Sequence, residues 1–313
     1  MMSLPEEGFR KKGPYVADNV ELISDWVEAS VLFLDGESSL SDIVDILLES
    51  NFYTSQEKAW DFATDVRLCI ERRQRILGQG YPFVVEDQMR IVSKGEWSDY
   101  APYSFCLILS LLPSYRSWRQ HFGSDYTEQG VLFEDLSVES VRLTMAGWEV
   151  VKTGWSKQEA AGLGAVAERC AGHLREGLGD LNHWVRGSEN EAGLDILCYR
   201  AFGDDRAGFP IYLFQCASGA NWTEKRKTPD LDIWKRIIIF TCDPKKGFAM
   251  PFSLTDQEYR LSTNIVNGLL LDRLRLLSPG AEIQHWLSAP LIEQICEWCS
   301  SRIDKIPSIQ DDF

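Results

Sequence analysis

Basic residues are in short supply in this 313-residue chain: 32 lysines and arginines face 47 aspartates and glutamates, for a net charge of −15. The acidic excess is spread over both halves rather than gathered in a tail. A protein that grips DNA phosphates over a wide surface needs lysine and arginine for the purpose, so that class is disfavoured. A local basic site is still allowed, and a partner subunit that brings the substrate becomes attractive. Long apolar runs are also missing. The longest, Phe105 to Pro113, is about half of what a bilayer span requires. No membrane association is expected. The first residues carry Glu6, Glu7, Arg10, Lys11 and Lys12 without an apolar block behind a cleavage site, so no secretory leader is expected. The 8 cysteines follow no framework spacing, which fits a reducing cytosol and a cytoplasmic location. There is no P-loop, no GxSxG elbow and no HExxH, which removes P-loop ATPases, α/β hydrolases and zincins. Gly162-x-Gly164 lacks the third glycine of a dinucleotide loop.

What is present describes a globular protein. Apolar residues make up 44%, aromatics 12% and charged residues 25%, which excludes disorder, collagen and coiled coil as whole-chain classes. The N-terminal third reads as helical. Val20 to Phe33 and Ser39 to Ser50 have apolar residues close to a 3.6 period. Thr54 with Glu57 has capping-box spacing and opens a long helix to about Leu77. Phe83-Val84-Val85 and Arg90-Ile91-Val92 form a hairpin, and Tyr103 to Leu112 a buried helix. A boundary near residue 125 divides a mainly helical domain, 1–125, from an α/β domain, 126–313.

The second part reads as a helix over Leu132 to Met145, a strand over Trp148 to Thr153, and a helix from Glu159 to Leu178 capped by Ser156. Strands follow at Leu194 to Phe202, Pro210 to Cys216 and Phe248 to Leu254. Asn221 to Ile237 has helical potential, and helices are expected over Asn264 to Leu277 and Pro290 to Ile303. This order describes a mixed β-sheet flanked by helices. Ile211 to Cys216, apolar on both faces, is expected to be central. Cys296-x-x-Cys299 has metal-ligand spacing, but no second CxxC or nearby histidine completes a zinc set, so buried thiols are expected. His173 and His183 are read as incidental.

One constellation carries chemistry. A helix with "LFEDL" holds Glu134, a strand with "EAGLDILCY" holds Asp195, and the strand "IYLFQCASGANW" holds Gln215. Gln215 in an apolar strand is costly unless partnered. Over about residues 130 to 225 this order resembles the Mrr-like branch of the PD-(D/E)XK nuclease superfamily, with its Phe-Glu helix, Gly-x-Asp strand and Gln-x-Lys strand. The resemblance implies a restriction-endonuclease-like fold and a metal-dependent endonuclease that hydrolyses double-stranded DNA with Mg²⁺ or Mn²⁺, in prokaryotic defence against foreign DNA. It implies Asp195 as main metal ligand, Gln215 as second ligand, the Cys216 carbonyl as a further oxygen, and Glu134 holding a metal-bound water.

The chain departs from the pattern at Ala217, where the family has lysine. Two readings follow. The lysine has migrated to the basic cluster Lys225, Arg226 and Lys227, with Lys225 as the electrostatic catalyst. Or the fold is kept without catalysis, as an interaction subunit of a larger defence or DNA-processing assembly. A protein partner or a homo-oligomer is expected in either case.

Overall fold

A computed structural model describes residues 1–5, 7, 20–86, 90–123, 126–153, 162–181, 193–283 and 285–307. The protein is mixed α/β and divides into two compact units. The first comprises Met1–Asp125, Pro251–Thr255 and Arg273–Phe313; the second comprises Tyr126–Met250 and Asp256–Asp272. A cut near residue 125 therefore coincides with one crossing, but 126–313 is not continuous: the C-terminal segment clusters with the N-terminal unit. Among the described residues no helix is long and apolar enough to cross a membrane.

The first unit opens with α1 (Val20–Ser30), continued by a wide turn over Val31–Asp35, then β1 (Glu37–Ser39), α2 (Leu40–Glu49) and α3 (Gln56–Leu77). Helix α2 starts on a capping box: Ser39 Oγ accepts from Asp42 N at 3.2 Å, and the Asp42 carboxylate accepts from Ser39 N at 2.8 Å. The box expected at Thr54 and Glu57 is not formed; α3 is preceded by Ser55, which makes no side-chain cap. Strands β2 (Phe83–Val85) and β3 (Arg90–Ser93) pair antiparallel, as expected for the hairpin, and β1 adds to the free side of β3. Helix α4 (Ala101–Leu111) is almost wholly buried, and α5 (Arg116–Phe122) follows.

The second unit begins with α6 (Thr127–Thr144) and β4 (Glu149–Lys152). Next come α7 (Leu163–Leu174), β5 (Gly177–Leu178), β6 (Ile196–Tyr199) and β7 (Ile211–Cys216). The expected Ser156 and Glu159 cap and His183 lie outside the described residues. After β7 come α8 (Trp222–Lys225), α9 (Leu231–Ile237), β8 (Ile238–Ile239), β9 (Lys245–Ala249), α10 (Asp256–Val266) and β10 (Gly268–Leu271). The five-stranded sheet runs β10-β9-β7-β6-β4, so β7 is central, as its apolar sequence requires. Strand β6 pairs antiparallel with β4 and with β7, and β7, β9 and β10 are parallel. Leu197, Tyr199, Ile211 and Leu213 face a core closed by α7 and by Trp234 and Ile237 of α9.

Two sequence expectations shift here. The helix expected over Asn264 to Leu277 is a helix end, a strand and a short helix. Asn267 turns left-handed (φ 52°), and Gly268 then lies so close to β9 that a Cβ there would sit 2.1 Å from the Lys246 carbonyl oxygen. An apolar run of four residues gains more by pairing with β9 than by extending α10. The strand expected over Phe248 to Leu254 runs over Lys245–Ala249, because Pro251 has no N–H for a ladder. The chain then completes the first unit with α11 (Arg273–Leu276) and α12 (Ala289–Ile303), whose Trp298 ring meets Phe105 of α4 edge-on at 5.0 Å.

Buried charges tie the first unit together. Glu21, Asp25 and Glu28 lie on α1 at four- and three-residue spacing and are buried with Arg73 and Arg273. Asp25 Oδ1 accepts from Arg73 at 2.7 Å and Arg273 at 2.8 Å, and its Oδ2 from Arg273 and Ser110, each at 2.7 Å. Glu28 accepts from Arg73 at 2.8 Å, from Tyr103 at 2.5 Å and from the Tyr81 hydroxyl.

Candidate active site

The register of β6 and β7 sets Ile196 opposite Phe214, and hence Asp195 opposite Gln215 at the strand ends. Asp195 Oδ2 accepts from Gln215 Nε2 at 2.5 Å and from the Cys216 backbone N–H at 2.6 Å. Both side chains are buried, Asp195 at 8% exposure and Gln215 at 7%. The Gly-x-Asp motif has a local cause. Gly193 has φ +71°, and a Cβ there would lie 2.6 Å from Gln215 Oε1 and 2.7 Å from Thr228 Cβ. A glycine is needed both for the turn and for the approach of the segment after α8.

Gln215 is held at both ends. Its Nε2 also reaches the Cys216 carbonyl at 3.1 Å, and its Oε1 lies 3.0 Å from Thr228 Oγ1. Thr228 Oγ1 is closer still to the Lys225 carbonyl, at 2.6 Å. The threonine hydroxyl has one hydrogen. Given to Lys225, it leaves Thr228 able only to accept from Gln215.

Helix α6 supplies the acidic side. Lys152 Nζ, at the end of β4, donates to Asp135 Oδ1 at 2.7 Å and to the Val131 carbonyl at 3.4 Å, and lies 3.7 Å from Glu134 Oε2. The Cys216 thiol is pushed well above its usual value, first by burial and then by the carboxylates of Asp195 and Glu134; Lys152 opposes them weakly. Cys216 is thus a neutral thiol; by register its side chain and that of Lys152 leave one face of the sheet, and those of Asp195 and Gln215 the other.

Lys225, expected as the migrated lysine, enters through its backbone: its carbonyl takes the Thr228 hydroxyl and N–H. Its amine makes no hydrogen bond or ion pair among the described residues. Arg226 lies over the Trp222 ring at 5.4 Å and donates to Ser262 Oγ at 3.3 Å. Lys246, buried beneath, donates to the Lys227 carbonyl at 2.7 Å, and burial holds its amine below the ordinary lysine value. Sequence reasoning passed over Lys152 and Thr228. The signal for Lys152 was its place at the end of the strand that pairs with the Asp195 strand.

Among the described residues, no three of His, Cys, Asp and Glu gather as a metal cluster. Any cation here would have to be held by a small set of charges with neutral oxygens. Cys299 is buried and Cys296 half-buried on α12, both free, with thiols pushed up chiefly by burial. His173 lies 3.4 Å from the Tyr199 hydroxyl, on the far part of β6. No family model, curated protein or solved structure matches the chain.

Proposed function

We propose that the second unit is a restriction-endonuclease-like, metal-dependent nuclease that hydrolyses phosphodiester bonds in double-stranded DNA. The observation that carries this reading is the facing pair Asp195 and Gln215 on adjacent antiparallel strands, with β4, the strand beside them, ending in Lys152, 3.7 Å from Glu134 of α6. The pairing of Asp195 with Gln215 supports that part of the resemblance.

The residues fit a divalent cation such as Mg²⁺ or Mn²⁺. With its amide turned over, Gln215 would give up the bonds from Nε2 to Asp195 and to the Cys216 carbonyl and present its NH₂ to Thr228 Oγ1. The amide oxygen then joins Asp195 Oδ2 and the Cys216 carbonyl. Three oxygens turned on one point repel one another unless a cation lies among them. When bound, the metal would polarise the phosphate and the attacking water. Asp195, the Gln215 amide oxygen and the Cys216 carbonyl would hold it. Glu134 would orient a water, and the positive charge for the developing anion would come from Lys225 after β7 or from Lys152 at the end of β4. Lys225, Arg226 and Lys227 follow β7 closely and offer charge to the DNA backbone. A role in defence against foreign DNA rests on analogy with the family alone.

Ala217 in the family's lysine position favours the second reading, a nuclease-fold interaction subunit without catalysis. Plasmid cleavage by the full chain with Mg²⁺ or Mn²⁺ separates them, with Asp195→Ala, Lys152→Ala and Lys225→Ala in parallel. The nuclease reading expects metal-dependent nicking that Asp195→Ala abolishes. Loss in Lys152→Ala with retention in Lys225→Ala assigns the amine to Lys152; the reverse restores Lys225. No cleavage, together with no Mn²⁺-dependent shift in melting temperature, sinks the enzyme and leaves the interaction subunit.

A further inference from the structure

The first unit has a half-open pocket of about 360 Å³, its polar rim exposed, that none of the chemistry above uses. It lies where the turn Gly78–Gly80, the start of α4 and the segment leading into α12 meet. That volume is within the range of small-molecule sites, roughly 300–1,000 Å³. Its floor depends on a close backbone approach: a Cβ on Gly80 would lie 2.8 Å from the Gly280 carbonyl oxygen. Gly280 in turn lets the Trp286 indole lie flush, since a Cβ there would meet Trp286 Nε1 at 2.9 Å.

The chemistry of the lining selects a ligand class. Tyr100, Tyr103 and Trp286 give aromatic walls, and Leu277 and Ile292 give an apolar base. Polar groups are few: Gln79, Ser98, Asp99 and His285. Asp99 takes the Glu96 N–H at 3.0 Å through Oδ2, and its other oxygen makes no hydrogen bond among the described residues. No lysine or arginine lines the cavity. Lys94, at the margin, lies 5.7 Å over the Tyr100 ring and donates to the Gly78 carbonyl at 3.4 Å. A phosphate or carboxylate would therefore meet Asp99 without a cation inside to balance it. A planar ring is suited to the aromatic walls, and an exocyclic amine to the Asp99 oxygen.

We infer that this cavity binds an uncharged, nucleobase-like heteroaromatic molecule that carries an amino group, as a free small molecule. Binding is independent of whether the second unit cleaves DNA.

Calorimetry of the full chain with adenosine, guanosine, cytidine and uridine tests this, with adenosine 5′-monophosphate beside them. Ile292→Trp, which fills the cavity from the half-buried face of α12, and Asp99→Asn, which keeps the cap but removes the charge, complete the set. The expected result is saturable one-to-one binding of an amino-bearing nucleoside, lost in Ile292→Trp at unchanged helix content. Asp99→Asn should weaken the amino-bearing nucleosides selectively over uridine. The monophosphate should bind about tenfold more weakly than adenosine, the order of one uncompensated charge near a surface. No saturable binding of any nucleoside at millimolar concentration, equal binding of the monophosphate, or undiminished binding by Ile292→Trp would each overturn the assignment.

Discussion

The pair Asp25 and Arg273 offers the sharpest test of how the first unit is held. Replacing Asp25 by alanine removes all four hydrogen bonds that its carboxylate accepts. The two guanidiniums are not equally affected. Arg73 keeps Glu21 at 2.6 Å and Glu28 at 2.8 Å. Arg273 meets no other carboxylate among the described residues; it retains only the Pro251 carbonyl, the Ser110 hydroxyl and the Tyr103 ring. Both arginines are fully buried. The cost of Asp25→Ala is therefore the cost of stranding one buried cation, about 3–5 kcal/mol. For a unit of this size that is a fall in melting temperature of roughly 6–20 °C.

The double variant Asp25→Ala/Arg273→Met removes the stranded charge as well. It should be more stable than Asp25→Ala alone, although it makes fewer contacts than the native chain. Urea unfolding followed by circular dichroism measures both. A loss below about 1 kcal/mol in Asp25→Ala, or a double variant whose loss is the sum of the single ones, would refute the argument. pH gives a further check. Burial alone would raise the Asp25 carboxyl, but Arg273 and then Arg73 outweigh it and hold the group below its ordinary value. A depressed folded value means stabilisation that is present above the unfolded carboxyl value, about 3.9, and is lost as pH falls through the folded one. The stability gap between the native chain and Asp25→Asn should close on that acidic side.

Other outcomes follow from neighbouring observations. Glu28 titrates the opposite way: burial raises its carboxyl and Arg73 does not fully offset it. Its contribution is therefore present below the unfolded value, about 4.3, and is lost as pH rises through the folded value. Urea midpoints should show the native chain losing ground to Glu28→Gln as pH rises over that interval. In the second unit, Gly268→Ala should cost about 1–3 kcal/mol, near the top of that range, because the obstacle is the Lys246 backbone. Gly130→Ala in α6 meets nothing within 4 Å and should gain about 0.5–1 kcal/mol by relieving backbone entropy; equal effects in thermal melts would contradict the packing argument.

Most helices of the first unit were legible because their apolar spacing is regular, yet α1 shows how that reading misleads. Leu22 is half exposed while Glu21, Asp25 and Glu28 are buried. On hydropathy alone, three acids on one helix read as a solvated face. They are buried because Arg73 and Arg273 reach them from distant parts of the chain, and Arg273 arrives only after the second unit is complete. Local pattern carries no information about such a partner. The same limit hid the return of the chain to the first unit and turned β10 into an expected helix.

The candidate site divides along the same line. Asp195 and Gln215 were legible because each is anomalous where it stands: a carboxylate at a strand start after a left-handed glycine, and an amide in an apolar central strand. Both anomalies follow from local physics, the steric freedom of glycine and the cost of an unpartnered buried amide. The lysine absent at Ala217 was expected a few residues on, at Lys225, and distance along the chain says little about reach across a sheet. In an antiparallel sheet the residue beside a strand start belongs to the neighbouring strand's end. For Asp195 that neighbour is β4, whose last residue is Lys152, opposite Ile196. The residue opposite Asp195 is Thr153, whose N–H donates to the Asp195 carbonyl at 2.8 Å, while Lys152, opposite Ile196, points to the other face and meets Asp135 and Glu134 there.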